Sequence, residues 1–201
     1  MTRRYVAFEG VDGAGKSTVA AGVAERLAAA GFDVVTVREP GVTPTGEGIR
    51  RILLGLGGEV ADWAEALLFA AARSQLVTEV VGPALAAGRA VVSDRSVYSS
   101  LAYQGFARGL GVEAVRRVNE AGLGGVWPEV VVLLHLDPAA GLAREDGPDR
   151  ISTAGLDLQA RVAEAYDLLA AAEPGRFVVV EASSGFDAVV AASTAEVLRR
   201  W

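Results

Sequence analysis

Five short apolar blocks recur along the chain: Tyr5–Glu9, Val34–Arg38, Ala90–Asp94, 130–136 and Phe177–Glu181, most of them rich in valine. Unbroken apolar runs of this length suit strands buried on both faces of a parallel sheet; half-solvated strands would alternate. Between the blocks the apolar positions recur every three or four residues. That period predicts helices over 18–30, 46–54, 62–87, 98–103, 112–121, 138–144, 157–172 and Phe186–Arg200. Strands alternating with helices predict an α/β fold, a five-stranded parallel sheet with helices on both faces. Gly31 and Gly88 each follow a helical run, where a left-handed residue would stop it. Gly82-Pro83 predicts a bend or break inside 62–87, and Asp137-Pro138 reads as a helix cap followed by the first helical residue. His135, the single histidine, falls inside an apolar strand and is expected to be a satisfied buried side chain. No linker, repeat or low-complexity tract divides the 201 residues, so one domain is expected over 1–201.

Composition narrows the function. Acidic residues outnumber Lys and Arg by 25 to 19, a net charge of −6, which gives no electrostatic case for a nucleic-acid partner. The absence of cysteine removes disulfides, thiolate catalysis and cysteine metal sites. The longest apolar run, 66–72, is far too short to span a bilayer, so no membrane role is expected. The opening Met1-Thr2-Arg3-Arg4 leads straight into the first strand, which leaves no room for a cleaved leader and predicts a cytoplasmic protein.

One stretch carries more chemistry than the rest. Gly10-Val11-Asp12-Gly13-Ala14-Gly15-Lys16-Ser17, followed by Thr18, fits G-x-x-x-x-G-K-[ST], and it lies between a predicted strand and a predicted helix as a phosphate-binding loop must. Its glycines let successive backbone N–H groups turn inward around a phosphate. The next helix adds the positive end of its dipole. Lys16 then reaches the β- and γ-phosphates, and the Ser17 hydroxyl offers a ligand to Mg²⁺. The chain is expected to bind a nucleoside triphosphate in a three-layer P-loop fold.

In such sheets ligands bind beyond the carboxyl ends of the strands. After the second strand come Arg38-Glu39-Pro40-Gly41 and, further on, Arg50; the two arginines would flank one strand end facing the phosphate loop and suit a second, anionic substrate, the competing reading being a plain turn and helix. Phe69 and Arg73 stand four apart on one helical face, where a ring and a guanidinium can stack on a planar base and bond its edge, or simply pack. Asp94 ends the third strand as either a Mg²⁺ carboxylate or a helix cap. Arg95 beside it has no place in a cap. Ser100, Tyr103 and Gln104 share the next helical face and carry groups that read a base or sugar. Residues 144–150 form a polar break that is a surface loop or a lid carrying Arg144 and Arg150 over the phosphates. Ala182 and Ser183 follow the last strand in a small-residue loop placed to contact an adenine.

Taken together these stretches resemble the thymidylate kinases over nearly the whole chain. The shared motifs are Phe8-Glu9-Gly10 through Thr18, Arg38-Glu39-Pro40-Gly41, Leu68 through Arg73, Asp94-Arg95 with Ser99 through Gly105, and Asp149-Arg150-Ile151. The resemblance implies transfer of the ATP γ-phosphoryl to dTMP with Mg²⁺, a step toward dTTP, by a homodimer. Phe69 would stack on thymine, with Arg73, Ser100 and Gln104 on its polar edge and Tyr103 against the sugar. Asp12 would hold the 3′-OH or a metal-bound water. Arg38, Arg50 and Arg95 would surround the monophosphate, and Glu39 of the same motif would belong to the dTMP site. Arg144 would stack on adenine against Ala182 and Ser183. The loop holds Gly13-Ala14 where other members carry an arginine, so the catalytic arginine would come from the lid, Arg150 first and Arg144 second. Ser152 stands where many relatives have a glutamate. Another nucleoside monophosphate kinase, or a nucleotide-dependent regulatory ATPase, are the competing readings.

Overall fold

The computed structural model describes residues 4–55, 58–144 and 155–201. Its strands are β1 (Tyr5–Glu9), β2 (Val34–Arg38), β3 (Ala90–Asp94), β4 (Val130–His135) and β5 (Phe177–Glu181), all parallel in the order β2-β3-β1-β4-β5. The helices are α1 (Lys16–Ala29), α2 (Pro44–Leu54), α3 (Asp62–Leu76), α4 (Gly82–Ala86), α5 (Val97–Ser100), α6 (Val112–Leu123), α7 (Pro138–Leu142), α8 (Gly155–Ala172) and α9 (Phe186–Arg200). All of β1 is buried, because it lies at the centre of the sheet; the outer strands β2 and β5 are only partly covered. From β1 the chain runs outward to β2 on one side and later returns to β4 on the other. The crevice where that direction reverses lies above β1, and the phosphate loop occupies it.

Alternation along the strands sends neighbouring side chains to opposite faces. Asp94, paired with Phe8 in the register, turns toward α1 and meets Ser17 there. Glu9, one residue further along β1, turns to the other face, where its carboxylate accepts from Ser96, Ser99 and Tyr166. On the α1 face, α9 packs against α1 so closely that a side chain at Gly22 would meet Val190 and Phe186.

Three expectations change. The run 62–87 stays helical through Gly82-Pro83: α3 passes through a π-helical turn, Val77–Val81, into α4, and Pro83 sits in the first turn of α4. The run 98–103 becomes α5 followed by a longer π-helical stretch, Leu101–Ala107, whose wider turn carries Tyr103 and Gln104. His135 is exposed, not buried. It is the last residue of β4 and pairs in register with Glu181 on the edge strand, Nδ1 lying 3.4 Å from Glu181 Oε2. Gly31 and Gly88 do take positive φ, and Asp137 does cap α7 by accepting from the Ala140 N–H.

Candidate functional site

A cavity of about 530 Å³ opens beyond the carboxyl ends of β1, β2 and β3. One end is the phosphate loop. Gly13 could be nothing else: its φ is 73°, and a Cβ there would lie 1.9 Å from the Gly141 carbonyl oxygen on α7. Gly15, at φ 85°, precedes α1 without offering a side-chain cap, and the first turn of α1 holds no acid. The early amides of that helix are therefore left as donors for an anion. Lys16 is buried, and its Nζ donates to the carbonyls of Gly10 at 3.0 Å and Val11 at 2.7 Å. Burial, with the Arg95 charge nearby, pulls its pKa down to about 8.

Around this loop the charges interlock. Asp12 pairs with Arg95; burial alone would raise its pKa, but the Arg95 and Lys16 charges hold it below the usual carboxylate value. Arg95 has φ 69°, a conformation costly for a non-glycine residue, and its guanidinium lies over the Tyr103 ring at 5.4 Å. Ser17 Oγ donates to Asp94 Oδ2 at 2.5 Å, while Asp94 Oδ1 is buried with no hydrogen-bond partner. Asp94 therefore does not cap the following helix; Ser96 does, accepting from the Tyr98 N–H. No group of three acidic or histidine residues among the described residues forms a metal cage. One hydroxyl and one carboxylate with an open oxygen fit a hard cation held chiefly by substrate phosphates and water, which is the Mg²⁺ habit.

The other end is built differently. Phe69, Ser100, Tyr103 and Gln104 line the cavity, and Arg38, Glu39 and Arg50 line it as well. Arg50 donates to the Pro40 carbonyl at 2.9 Å, and Arg38 pairs with Glu47 at 2.8 Å. Arg73 shares a helix face with Phe69 as expected, yet it is 2% exposed and does not line the cavity. Its donors are spent on Glu39 at 2.6 Å, on Asn119, on the Ser96 carbonyl at 3.2 Å and on Ser100 Oγ at 3.1 Å. It supports the wall from behind.

Of the remaining predicted residues, Gly10, Val11, Ala14 and Thr18 complete the loop and the start of α1. Arg144 lines the cavity, with its guanidinium 3.5 Å from the Ala182 carbonyl; Ser183 follows in the same loop. Arg150, Ser152 and the rest of the expected lid, 145–152, lie outside the described residues. The cavity wall carries Lys16, Arg38, Arg50, Arg95 and Arg144 against Asp12, Glu39 and Asp94. An acidic chain has thus gathered a local excess of positive charge suited to phosphates.

Sequence reasoning missed Gln159, which is buried in α8. Its Oε1 accepts from the Asp12 backbone N–H at 3.1 Å, and its Nε2 donates to Asp12 Oδ2 at 2.6 Å. Glu65, buried directly behind the cavity residue Gln104, and Asn119, buried behind Arg73, were missed as well.

Residues 8–192 match the family model described as thymidylate kinase. A thymidylate kinase of Desulforudis audaxviator is 48% identical over 186 residues, 90% of this chain and 84% of that protein. One from Deinococcus radiodurans is 44% identical over 199 residues, 98% of this chain and 97% of its own length. The crystal structure of the Ehrlichia chaffeensis thymidylate kinase superposes with a TM-score of 0.82 at 25% identity, covering 99% of this chain and all of that one.

Proposed function

The chain belongs to the thymidylate kinase family, and from that premise we propose how its own residues carry out the family's reaction. The enzyme phosphorylates dTMP with ATP, giving dTDP and ADP. The observation that supports this reading best is the joining of two unlike parts in one cavity, an amide-and-lysine cradle and an aromatic slot, with arginines on the same wall.

ATP lays its β- and γ-phosphates in the loop from Gly10 to Thr18. Lys16 exchanges the Gly10 and Val11 carbonyls for phosphate oxygens, stronger because charged partners. Ser17 and Asp94 would hold Mg²⁺, which would supply charge neutralisation for the transferring group; the unpartnered Asp94 oxygen supports this assignment. Arg144 covers the adenine beside Ala182 and Ser183. dTMP stacks on Phe69, presents its base edge to Gln104 and Ser100 and its sugar to Tyr103 and Asp12. Arg73 acts by fixing Ser100 and Glu39. Arg38, Arg50 and Arg95 bring the dTMP phosphate in line with the γ-phosphorus. An oxygen of that phosphate forms the new P–O bond as the bond to the ADP β-phosphate oxygen breaks. No base is needed, since the attacking phosphate is already an anion. The work is positioning and charge neutralisation.

A coupled ADP-release assay with Mg²⁺ tests the reading. dTMP is expected to be the best acceptor, with dUMP, lacking one methyl, weaker by about 1–3 kcal/mol in kcat/KM. Equal rates with dCMP or dAMP would overturn the base assignment. A homodimer built on the α2–α3 face, where Ile52, Trp63 and Leu67 are exposed, is part of the same proposal and is read by sedimentation. No helix among the described residues is long and apolar enough to cross a membrane.

A further inference from the structure

One amide at the base end has its direction settled by an acid that the substrate never touches. Gln104 is 2% exposed and lines the cavity, and its Nε2 donates to Glu65 Oε1 at 2.9 Å. Glu65 is completely buried in the first turn of α3, outside the cavity lining. Arg108 Nη2 lies 3.5 Å from its other oxygen as its ion-pair partner. A carboxylate has nothing to donate. The Gln104 amide can therefore face it in one way only, NH₂ toward Glu65 and carbonyl away, whichever way the amide is drawn. Among the described residues no protein donor meets Gln104 Oε1, so an acceptor is what the cavity is offered.

We propose that Glu65 is a specificity-determining positioning residue. By locking the Gln104 amide it makes the slot select a pyrimidine with an N–H at ring position 3, thymine or uracil, and reject cytosine, which carries a lone pair there. This rests on Gln104 meeting the base edge. A cytosine nucleotide would bring two acceptors together, and the buried carbonyl could not rotate to relieve them without opposing Gln104 oxygen to the Glu65 carboxylate. A mismatched buried hydrogen-bonding group of this kind discriminates far more strongly than a missing methyl does. A merely structural Glu65 predicts something else: its loss would lower stability and weaken every nucleotide alike.

The test compares kcat/KM for dTMP and dCMP in the intact enzyme, in Glu65→Gln and in Gln104→Leu, with melting midpoints measured for each. A glutamine at 65 can donate as well as accept, so the Gln104 amide is freed to turn its NH₂ to cytosine. The dTMP-to-dCMP ratio is expected to fall by about tenfold or more in Glu65→Gln, mainly through the two KM values, with kcat for dTMP nearly kept. Glu65→Asp, still an acceptor only, should restore most of the ratio. A folded Glu65→Gln enzyme with a ratio within twofold of the parent overturns the proposal. If that variant does not fold, Glu65→Ser is read on the same ratio by the same criterion. Gln104→Leu separates the two layers. If it keeps the ratio, Gln104 does not read the base at all; if it loses the ratio while Glu65→Gln keeps it, only the lock is wrong.

Discussion

Lys16 and Arg73 are both buried cations near one cavity, and they are held in opposite ways. Lys16 donates to two neutral carbonyls of its own loop, partners that a phosphate oxygen can replace, with the Asp12 carboxylate farther off at 3.9 Å. Arg73 is tied to Glu39, Asn119, Ser96 and Ser100, none of which it can exchange without leaving a buried group unpaired. The contrast extends to the two ends of the cavity. At the phosphate end, charges wait in bonds a ligand takes over, such as Ser17 with Asp94. At the base end, polar groups are fixed from behind by residues a ligand never reaches, such as Glu65 behind Gln104. Electrostatic stabilisation of a transferring group needs charges free to engage it, whereas reading a base needs donors and acceptors already pointed.

The largest effect is therefore expected at the base end, on stability. Arg73→Leu leaves Glu39, whose carboxyl burial already pushes upward, with no counter-charge. Removing one partner of a buried pair costs about 3–5 kcal/mol, to be read from the urea unfolding midpoint. The double variant Arg73→Leu with Glu39→Leu should recover part of that loss, because no lone charge remains buried. A single variant with an unchanged midpoint would mean that this wall is not the fixed scaffold described.

Next comes the phosphate end, on rate. Lys16→Ala is expected to lower kcat by about a hundredfold or more, with a much smaller change in unfolding midpoint than Arg73→Leu. Near-normal turnover would remove Lys16 from the transfer step. Its depressed pKa gives a second handle. Free enzyme holds Lys16 near 8, so above that pH part of the population must take up a proton before it can pair with phosphate. ATP affinity should weaken as pH rises through about 8 and beyond, and calorimetry in buffers of different ionisation heat should show proton uptake on ATP binding there. Lys16→Ala should abolish that uptake.

The same contrast explains what could be read from the chain. The phosphate end is local: Gly10 to Ser17 lie within eight consecutive residues, and their spacing alone demands the chemistry. Asp94 and Arg95 were legible because they sit at a strand end, where such folds place ligands. The support of the base end is long-range. Gln159 meets Asp12 across 147 residues, and Glu65 meets Gln104 across 39. No spacing rule joins them. A signal was nevertheless present. Glu65, Asn119 and Gln159 each occupy a slot in an apolar helical stripe, Glu65 with Phe69 and Ala72, Asn119 between Val115 and Leu123, Gln159 with Val162 and Tyr166. A polar side chain in such a slot must find a buried partner. Arg73 lies on the face that helical spacing gave it, but its ties to Glu39, Asn119, Ser96 and Ser100 could not be read, since spacing fixes direction and not partners.

Gln159 tests the boundary between the two ends, because it is a fixed support acting on the phosphate loop. Gln159→Leu removes both bonds to Asp12 and frees that carboxylate to turn. A loss of about tenfold in kcat is expected, and the double variant with Asp12→Asn should be no worse than Asp12→Asn alone, as for residues acting in series. Additive losses would show that Gln159 works by another route.

The smallest effect marks where the site ends. His135 and Glu181 stand at the carboxyl ends of β4 and β5, on the same rim as the cavity, and Glu181 directly precedes the loop assigned to adenine. Both are about half exposed, with ring and carboxylate 3.4 Å apart, so water competes for each and the pair has little left to contribute. His135→Ala should leave kcat, the KM for ATP and the unfolding midpoint unchanged within error. A raised KM for ATP would extend the phosphate end past Ala182 onto the edge strand, and the cavity as drawn would then be too small.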